Sequence, residues 1–185
     1  MQKELRHFAE RGWQGPINTL YFGGGTPSIL SVSEIEAFIT QAAQLFNLDP
    51  AAEITLEANP DDLTADKMQE LAGSSVNRLS VGIQSFDAGE LRWMNRAHTP
   101  VEALESLEAT ARLFPNYSLD LIYGIPGSTM ELWANNLEHA LQFNPPPISA
   151  YALTAVSYTH LRAHETRACL GGAVVWVCGG GGGGG

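Results

Sequence analysis

Short apolar runs alternate with amphipathic segments along residues 2–154, and this alternation constrains the fold more than any other feature of the sequence. The apolar runs predict β-strands at 19–22, 53–58, 78–83, 117–124 and 148–153. The segments between them carry apolar residues at helical spacing and predict helices at 2–11, 31–46, 64–71, 88–94, 100–114 and 131–143. Strands that alternate with helices are typical of α/β proteins with a parallel sheet. We therefore predict a partial (β/α) barrel with parallel strands, and an open doubly wound sheet is the alternative.

Capping signals support three of the predicted helices. Ser31 is followed three residues later by Glu34, which is the spacing of a capping box. Thr64 precedes a helical pattern and can cap it, and Pro100 suits the first turn of the next long helix.

Charge, hydropathy and cysteine content exclude several classes of function. The 185 residues carry a formal net charge of -10 at pH 7, which would repel a phosphate backbone, so we expect no nucleic-acid partner. No apolar run approaches the roughly 20 residues of a membrane span. Cysteine occurs only at Cys169 and Cys178, which is compatible with a reducing cytoplasm, where we expect the protein to be located. This distribution also excludes a cysteine-ligated metal site before residue 156.

The character of the sequence changes after residue 154. The segment VSYTHLRAHET resembles a translated library adapter, and the chain ends in an unbroken run of glycine at 179–185. We therefore expect a core domain at 1–154 and a non-native tail at 155–185. A zinc site is the alternative, since the segment holds the potential ligands His160, His164, Cys169 and Cys178. Their order and spacing match no common zinc finger.

Polar residues and glycines follow or end the predicted strands, where (β/α) barrels place their chemistry. The first strand leads into Gly23, Gly24, Gly25 and Thr26, which lack the spacing of a P-loop or of a dinucleotide fingerprint. A tight turn is one interpretation of these glycines, and bare backbone groups facing a ligand are the other. Glu57 closes the second strand with its side chain predicted to face the barrel interior. It either forms a structural salt bridge or binds a ligand ammonium.

Three further residues extend this pattern along the sheet. Gln84 ends the third strand, and its amide can both donate to and accept from a sugar hydroxyl. Arg96 follows shortly after and can hold a carboxylate through two hydrogen bonds. Asp120 is an isolated charge in an apolar strand, which implies a hydroxyl or cation partner. Together these residues describe a pocket for a zwitterion joined to a nucleoside, the shape of S-adenosylmethionine.

His98 and His139 are interpreted as surface residues.

Several motifs occur in the order and spacing of a known family: YFGGGTPSIL, EITLEANP, NRLSVGIQSF, MNRAH, DLIYGIPGST and ISAYALT. The chain resembles the radical S-adenosylmethionine enzymes related to oxygen-independent coproporphyrinogen oxidase, over roughly residues 1–154. The resemblance implies that Gly24, Gly25 and Thr26 contact S-adenosylmethionine. It assigns Glu57 to the ammonium, Arg96 to the carboxylate, Gln84 and Asp120 to the ribose, and Ala152 to the neighbourhood of the adenine.

The chain departs from this family in one respect that bears on activity. The family binds a [4Fe-4S] cluster through three cysteines spaced C-x3-C-x2-C just after its first strand, and thiolates are the ligands such clusters need. Residues 1–155 contain no cysteine. We therefore expect that the cluster cysteines lie upstream of Met1, together with the family's first strand and cluster loop. We also expect that a further C-terminal domain is missing. The chain would then be an internal fragment that holds no metal and does not itself cleave S-adenosylmethionine.

Two branches of the family imply different functions for the parent protein. One branch oxidatively decarboxylates propionate groups of coproporphyrinogen III. The other binds haem and passes it to recipient haem proteins. LEANP and IQSF are more similar to the chaperone branch, which we favour. A non-catalytic (β/α) ligand-binding module is the alternative from another class.

Overall fold

The computed structural model describes residues 2–10, 12, 15–143, 147–153 and 174–179, the last segment by its backbone alone. Within these ranges the structure has six helices: α1 (Gln2–Glu10), α2 (Val32–Leu45), α3 (Ala65–Ala72), α4 (Ala88–Trp93), α5 (Pro100–Leu113) and α6 (Met130–Leu141). Short 3-10 turns at Pro27–Ile29 and Pro60–Asp62 follow the first two strands. The predicted helices are therefore all present, each within a few residues of its expected bounds.

The strands are β1 (Pro16–Gly23), β2 (Asn47–Ala58), β3 (Arg78–Gln84), β4 (Tyr117–Tyr123), β5 (Ile148–Ala152) and β6 (Val174–Gly179). They form one sheet in the order β5-β4-β3-β2-β1-β6, in which β1 to β5 pair in parallel. A doubly wound sheet reverses its strand order at a switch point, and no reversal occurs between β1 and β5. The five parallel strands form a half-barrel, and the prediction of a partial (β/α) barrel is confirmed.

The capping residues act as the sequence indicated. Ser31 and Glu34 form a reciprocal capping box at the start of α2, and Thr64 accepts from the Lys67 N–H at the start of α3. Pro100 occupies the first turn of α5, where a second capping box joins Thr99 to Glu102. These contacts satisfy backbone donors that a helix leaves without partners in its first turn.

The sheet has one apolar face and one polar face. Leu20, Leu56, Leu79 and Leu119 are fully buried in the main core cluster, which also contains apolar residues of the helices such as Ile35. The strand register places Glu57, Ser80 and Ser118 in one row, on the opposite, polar face from these leucines. Hydrophobic burial therefore fastens the helices to one side of the sheet and leaves the inner face of the half-barrel for polar groups.

Two strand features were not predicted. β2 begins at Asn47, six residues before the predicted start, because its first part pairs with Pro16 and Ile17 of β1 through the backbone. Its sequence there, NLDPAA, has no alternation of apolar and polar residues that could have indicated a strand. β6 lies antiparallel against β1, at the edge opposite β5, so the sheet as a whole is not purely parallel.

The proposed boundary at residue 154 lies outside the described residues, as do His160, His164 and Cys169 of the zinc alternative. Within the described ranges, no set of three or more histidine, cysteine, aspartate or glutamate side chains is arranged to hold a metal ion. None of the helices described is long and apolar enough to cross a bilayer.

Candidate functional site

Glu57 lies near the carboxyl end of β2 with both carboxylate oxygens engaged. The Tyr21 hydroxyl of β1 donates to its Oε1 at 2.6 Å, and the Gly24 N–H donates to its Oε2 at 3.1 Å. Among the described residues, these partners are neutral donors, whereas a structural salt bridge would have required a cation. The carboxylate is therefore held at a fixed orientation without its charge being neutralised.

Gly23 gives the Tyr21–Glu57 pair the space it occupies. A Cβ atom on Gly23 would lie 2.5 Å from Cε1 of the Tyr21 ring and 3.0 Å from Cδ of Glu57. Neither distance is compatible with normal packing. The first glycine of the GGG run is thus required for close approach of two side chains, and not for a turn.

Gly24 and Gly25 adopt positive φ, at 75° and 68°. An L side chain rarely adopts this conformation, so these two glycines form the turn that the sequence suggested. The turn points the Gly24 N–H at Glu57. Thr26 follows directly and its carbonyl accepts from the Ile29 N–H in the 3-10 turn.

Gln84 ends β3 in a strained backbone conformation. Its φ is 66°, and the Ser85 N–H donates to the Ile83 carbonyl at 2.8 Å, which closes a γ-turn around it. The side chain is buried and lies beside Gly82, where a Cβ would come within 2.8 Å of the Gln84 Nε2. Non-glycine residues with positive φ are uncommon and cluster at functional sites, so this strain marks Gln84 as a candidate independently of its amide.

His98 is buried, with 4% of its surface exposed, which corrects its interpretation as a surface residue. It follows α4 in a connection that folds back under β3, where its Nε2 lies 3.0 Å from the Ile83 carbonyl. Its Nδ1 is 3.9 Å from Oδ1 of Asp61. Burial lowers the pKa of the imidazole, and this effect outweighs the opposing influence of the Ile83 hydrogen bond and the Asp61 charge.

A buried hydrogen-bond network contacts the residues that follow the Gln84 turn. The Glu90 carboxylate of α4 accepts hydrogen bonds from Ser85, Ser128 and Asn136. The Asn136 Oδ1 in turn accepts from the Phe86 N–H at 2.7 Å and lies 3.2 Å from the Ser85 hydroxyl oxygen. The network therefore joins the loop after β3 to the loop after β4. Sequence reasoning missed it because its members come from four separate segments.

Asp120 lies on the polar face of β4, next to Ser80 of β3, whose hydroxyl is 3.5 Å from the Asp120 Oδ2. The Ser118 hydroxyl donates to Ser80 at 3.1 Å and accepts from Arg78 at 3.2 Å. Arg78 also pairs with Glu53 at 3.4 Å. A continuous polar ladder thus runs across the inner face of the half-barrel and ends at Asp120.

Three of the predicted site residues lie at or near the carboxyl ends of parallel strands, whereas Asp120 lies in the middle of β4. Glu57, Gln84 and Ala152 end or nearly end β2, β3 and β5. Gly24 contacts Glu57 directly, and the Asp120 charge is among the influences that raise the pKa of Tyr21. Arg96 lines a cleft between α4 and α5 together with His98, and the other predicted ligand residues do not line that cleft.

Comparisons with known proteins agree with this geometry. Residues 2–140 match the Radical SAM superfamily, in which SAM denotes S-adenosylmethionine. The chain belongs to the radical SAM superfamily. The haem chaperone HemW of Lactococcus lactis is 37% identical over 155 residues, which cover 83% of this chain and 41% of that protein. HemW of Escherichia coli is 36% identical over 139 residues, which cover 75% of this chain and 37% of that protein.

A solved structure extends the likeness to three dimensions. The chain superposes on the radical SAM enzyme coproporphyrinogen III oxidase (HemN) of Escherichia coli with a TM-score of 0.76 and 28% identity, covering 84% of this chain and 36% of that one. Elp3 of Methanocaldococcus infernus, at 17% identity and a TM-score of 0.63, shares the fold. This radical SAM chain is therefore HemW/HemN-like, and it spans about two fifths of the length of the curated relatives it matches.

Radical SAM proteins bind S-adenosylmethionine and a [4Fe-4S] cluster, and the described residues of this chain have the chemistry for the first of these. Glu57 offers acceptor oxygens for an ammonium, and Gln84 and Asp120 offer groups suited to hydroxyls, so the site fits S-adenosylmethionine. A [4Fe-4S] cluster needs thiolates, and the side chains that the structure describes include no cysteine. They do not provide a ligand set for the cluster.

Proposed function

We propose that this chain is the S-adenosylmethionine-binding part of a radical SAM haem chaperone. The observation that carries the proposal is the Glu57 carboxylate, held by Tyr21 and Gly24 at the ends of two adjacent parallel strands. An anion fixed in this way is suited to a primary ammonium, because both of its partners are neutral donors and it has lone pairs left to accept. S-adenosylmethionine carries such an ammonium next to a carboxylate and an adenosine.

Each group of the ligand has a proposed partner in the chain. Glu57 binds the ammonium, and the backbone of Gly24, Gly25 and Thr26 lines the amino-acid end. Arg96 binds the carboxylate. Gln84 and Asp120 hold the ribose hydroxyls, and Ala152 lies near the adenine. In this family S-adenosylmethionine supplies a 5'-deoxyadenosyl radical when it is bound with a reduced [4Fe-4S] cluster, and we propose that cysteines outside residues 1–155 hold that cluster.

We favour a haem chaperone over an oxidase on the basis of the relatives. The HemW proteins of Lactococcus lactis and Escherichia coli match at 37% and 36% identity, and the solved oxidase structure matches at 28%. On this proposal haem is the cargo and recipient haem proteins are the partners. Coproporphyrinogen III is the substrate on the alternative, which the superposition on HemN supports. The cytoplasmic location expected from the cysteine content remains a prediction.

Ligand-observed NMR tests the binding proposal on the chain itself. We expect S-adenosylmethionine to bind with a dissociation constant of roughly 1 mM, because the cluster that contributes ligand contacts in this family is not provided. Glu57→Ala should weaken binding at least about ten-fold, since the ammonium loses its counter-charge. Glu108→Ala, which removes an exposed carboxylate on α5, is the matched control and should leave the affinity unchanged. Wild-type affinity in Glu57→Ala would refute the site assignment.

A second experiment separates the two branches. A protein that carries this chain together with a three-cysteine cluster loop should bind haem, detected by a shifted Soret band, and should transfer it to an apo-haem protein. Under anaerobic reducing conditions with S-adenosylmethionine it should leave coproporphyrinogen III unchanged. Conversion to the divinyl product would assign it to the oxidase branch instead.

A further inference from the structure

The assignment above gives Tyr21 no contact with the ligand, although its hydroxyl makes the shorter of the two contacts with Glu57. The residue lies on β1 opposite Thr55, so Glu57 is its diagonal neighbour on the same face of the sheet. The hydroxyl donates to Glu57 Oε1 at 2.6 Å. A phenol has a single hydrogen, so beyond this contact its oxygen can only accept hydrogen bonds.

The surroundings of Tyr21 favour a cation. Glu57, Asp120 and Tyr151 are the titratable groups whose influence reaches the phenol. Burial, followed by the hydrogen bond to Glu57 and these charges, raises the pKa of Tyr21 well above its usual value. The phenol therefore keeps its proton at any physiological pH and remains a donor to the carboxylate.

The packing fixes this arrangement. The Tyr21 ring passes so close to Gly23 that a Cβ there would lie 2.5 Å from Cε1. The ring therefore occupies space that only a glycine at residue 23 leaves open. Its hydroxyl on one carboxylate oxygen and the Gly24 N–H on the other limit rotation of the carboxylate about its terminal bond. Each carboxylate oxygen then has one donor from the chain and lone pairs left for a ligand.

We propose that Tyr21 is a positioning residue of the ammonium site, which orients Glu57 and adds a second acceptor beside it. This inference rests on the proposed function. It predicts that Tyr21 matters for ligands that carry the ammonium and not for ligands that lack it.

The test compares two ligands on the full chain by ligand-observed NMR. Tyr21→Phe keeps the ring and removes the hydroxyl. It should weaken S-adenosylmethionine binding about ten-fold, the effect of one hydrogen bond to a charged group. Binding of 5'-methylthioadenosine, which shares the adenosine but has no amino-acid group, should change less than about two-fold. A general structural disturbance would weaken both ligands equally and would overturn the inference.

Tyr117→Phe is the matched control. Tyr117 is a buried tyrosine whose hydroxyl donates to the Phe143 carbonyl at 2.8 Å, away from the site. Its removal should leave the affinities for both ligands unchanged.

A double-mutant cycle guards against loss of folding in the single variant. If Tyr21 acts through Glu57, the ten-fold effect of Tyr21→Phe should shrink when Glu57 is already alanine. Equal effects in both backgrounds would overturn the inference while leaving the proposed function standing. Failure of the wild-type chain to bind S-adenosylmethionine would instead overturn both. Selective loss of S-adenosylmethionine binding in Tyr21→Phe supports both.

Discussion

Gln84 and His98 show how single residues shape the candidate site through backbone conformation and burial. Gln84 is held at a φ of 66° by the γ-turn that Ser85 closes onto Ile83. His98 contacts the same Ile83 carbonyl from the other side. The Gln84 amide is therefore positioned by a strained backbone turn and by the buried imidazole of His98. The strain and the buried imidazole each predict a measurable effect on stability.

Substitutions of Gln84 should separate stability from binding. Gln84→Gly removes the steric cost of positive φ, so it should be about 1 kcal/mol more stable than Gln84→Ala, which keeps that cost. Both variants should lose affinity for 5'-methylthioadenosine, because both lack the amide proposed to hold the ribose. Urea unfolding and ligand-observed NMR measure the two effects. A glycine variant less stable than the alanine variant would show that the turn is not strained.

His98 should make the chain less stable as the pH falls. Its pKa is lower in the folded state than the ordinary value of about 6.5, so below that pH the unfolded state binds more protons than the folded state. The contribution to stability is complete above the ordinary pKa. It declines as pH falls, by at most about 1.4 kcal/mol per pH unit, until the folded pKa is reached.

Urea unfolding at pH 7.5 and 5.5 measures this effect. His98→Gln retains a donor for the Ile83 carbonyl but does not titrate, so it should lose less stability between the two pH values than the wild type. His7→Gln, which changes an exposed histidine on α1, is the control and should behave as the wild type. A His98→Gln variant with the wild-type pH dependence would contradict the assignment.

At the scale of elements, the Glu90 network fastens two βα loops to each other. It connects α4, the loop after β3, the loop after β4, and α6 through a carboxylate that accepts from three side chains. A buried carboxylate is stable only when its lone pairs are satisfied, and this one depends on Asn136. The loop that follows Gln84 is therefore positioned partly by α6.

Asn136→Ala should destabilise the chain by about 2–3 kcal/mol, since it leaves the Phe86 N–H and the Glu90 carboxylate short of buried partners. Asn135→Ala changes the neighbouring, exposed residue of α6 and should stay within about 0.5 kcal/mol of the wild type. Urea unfolding of both variants provides the measurement. Equal stabilities of the two would show that the network contributes nothing to folding.

The sequence predicted elements where local signals determine them and failed where contacts between distant segments do. The capping residues Ser31 and Thr64 and the apolar alternation were sufficient for most helices and strands. The early start of β2 depends on backbone pairing with β1, and the burial of His98 depends on how its connection folds back. Neither leaves a periodic pattern in the sequence.

At the scale of the whole molecule, one face of the half-barrel sheet packs against the helices to form the core, and the other face carries the polar groups. Leucines such as Leu56 and Leu79 bury the helical side, and a polar ladder from Arg78 to Asp120 lines the other. Strand alternation predicted that Glu57 faces this inner side, and the isolated charge of Asp120 in an apolar strand predicted a hydroxyl or cation partner. The partners Tyr21 and Ser80 were not predicted, because a tyrosine or serine in a strand carries no distinctive signal.

The chemical-shift map of the ¹⁵N-labelled chain titrated with S-adenosylmethionine tests the central claim most directly. The claim is that the ends of successive parallel strands contribute to one ligand site. It predicts that the backbone signals of Gly25, Glu57, Gln84 and Asp120 move together along a single saturation curve, while those of exposed residues on α5 stay in place. Signals that move with different dissociation constants, or shifts confined to the cleft around Arg96, would contradict it.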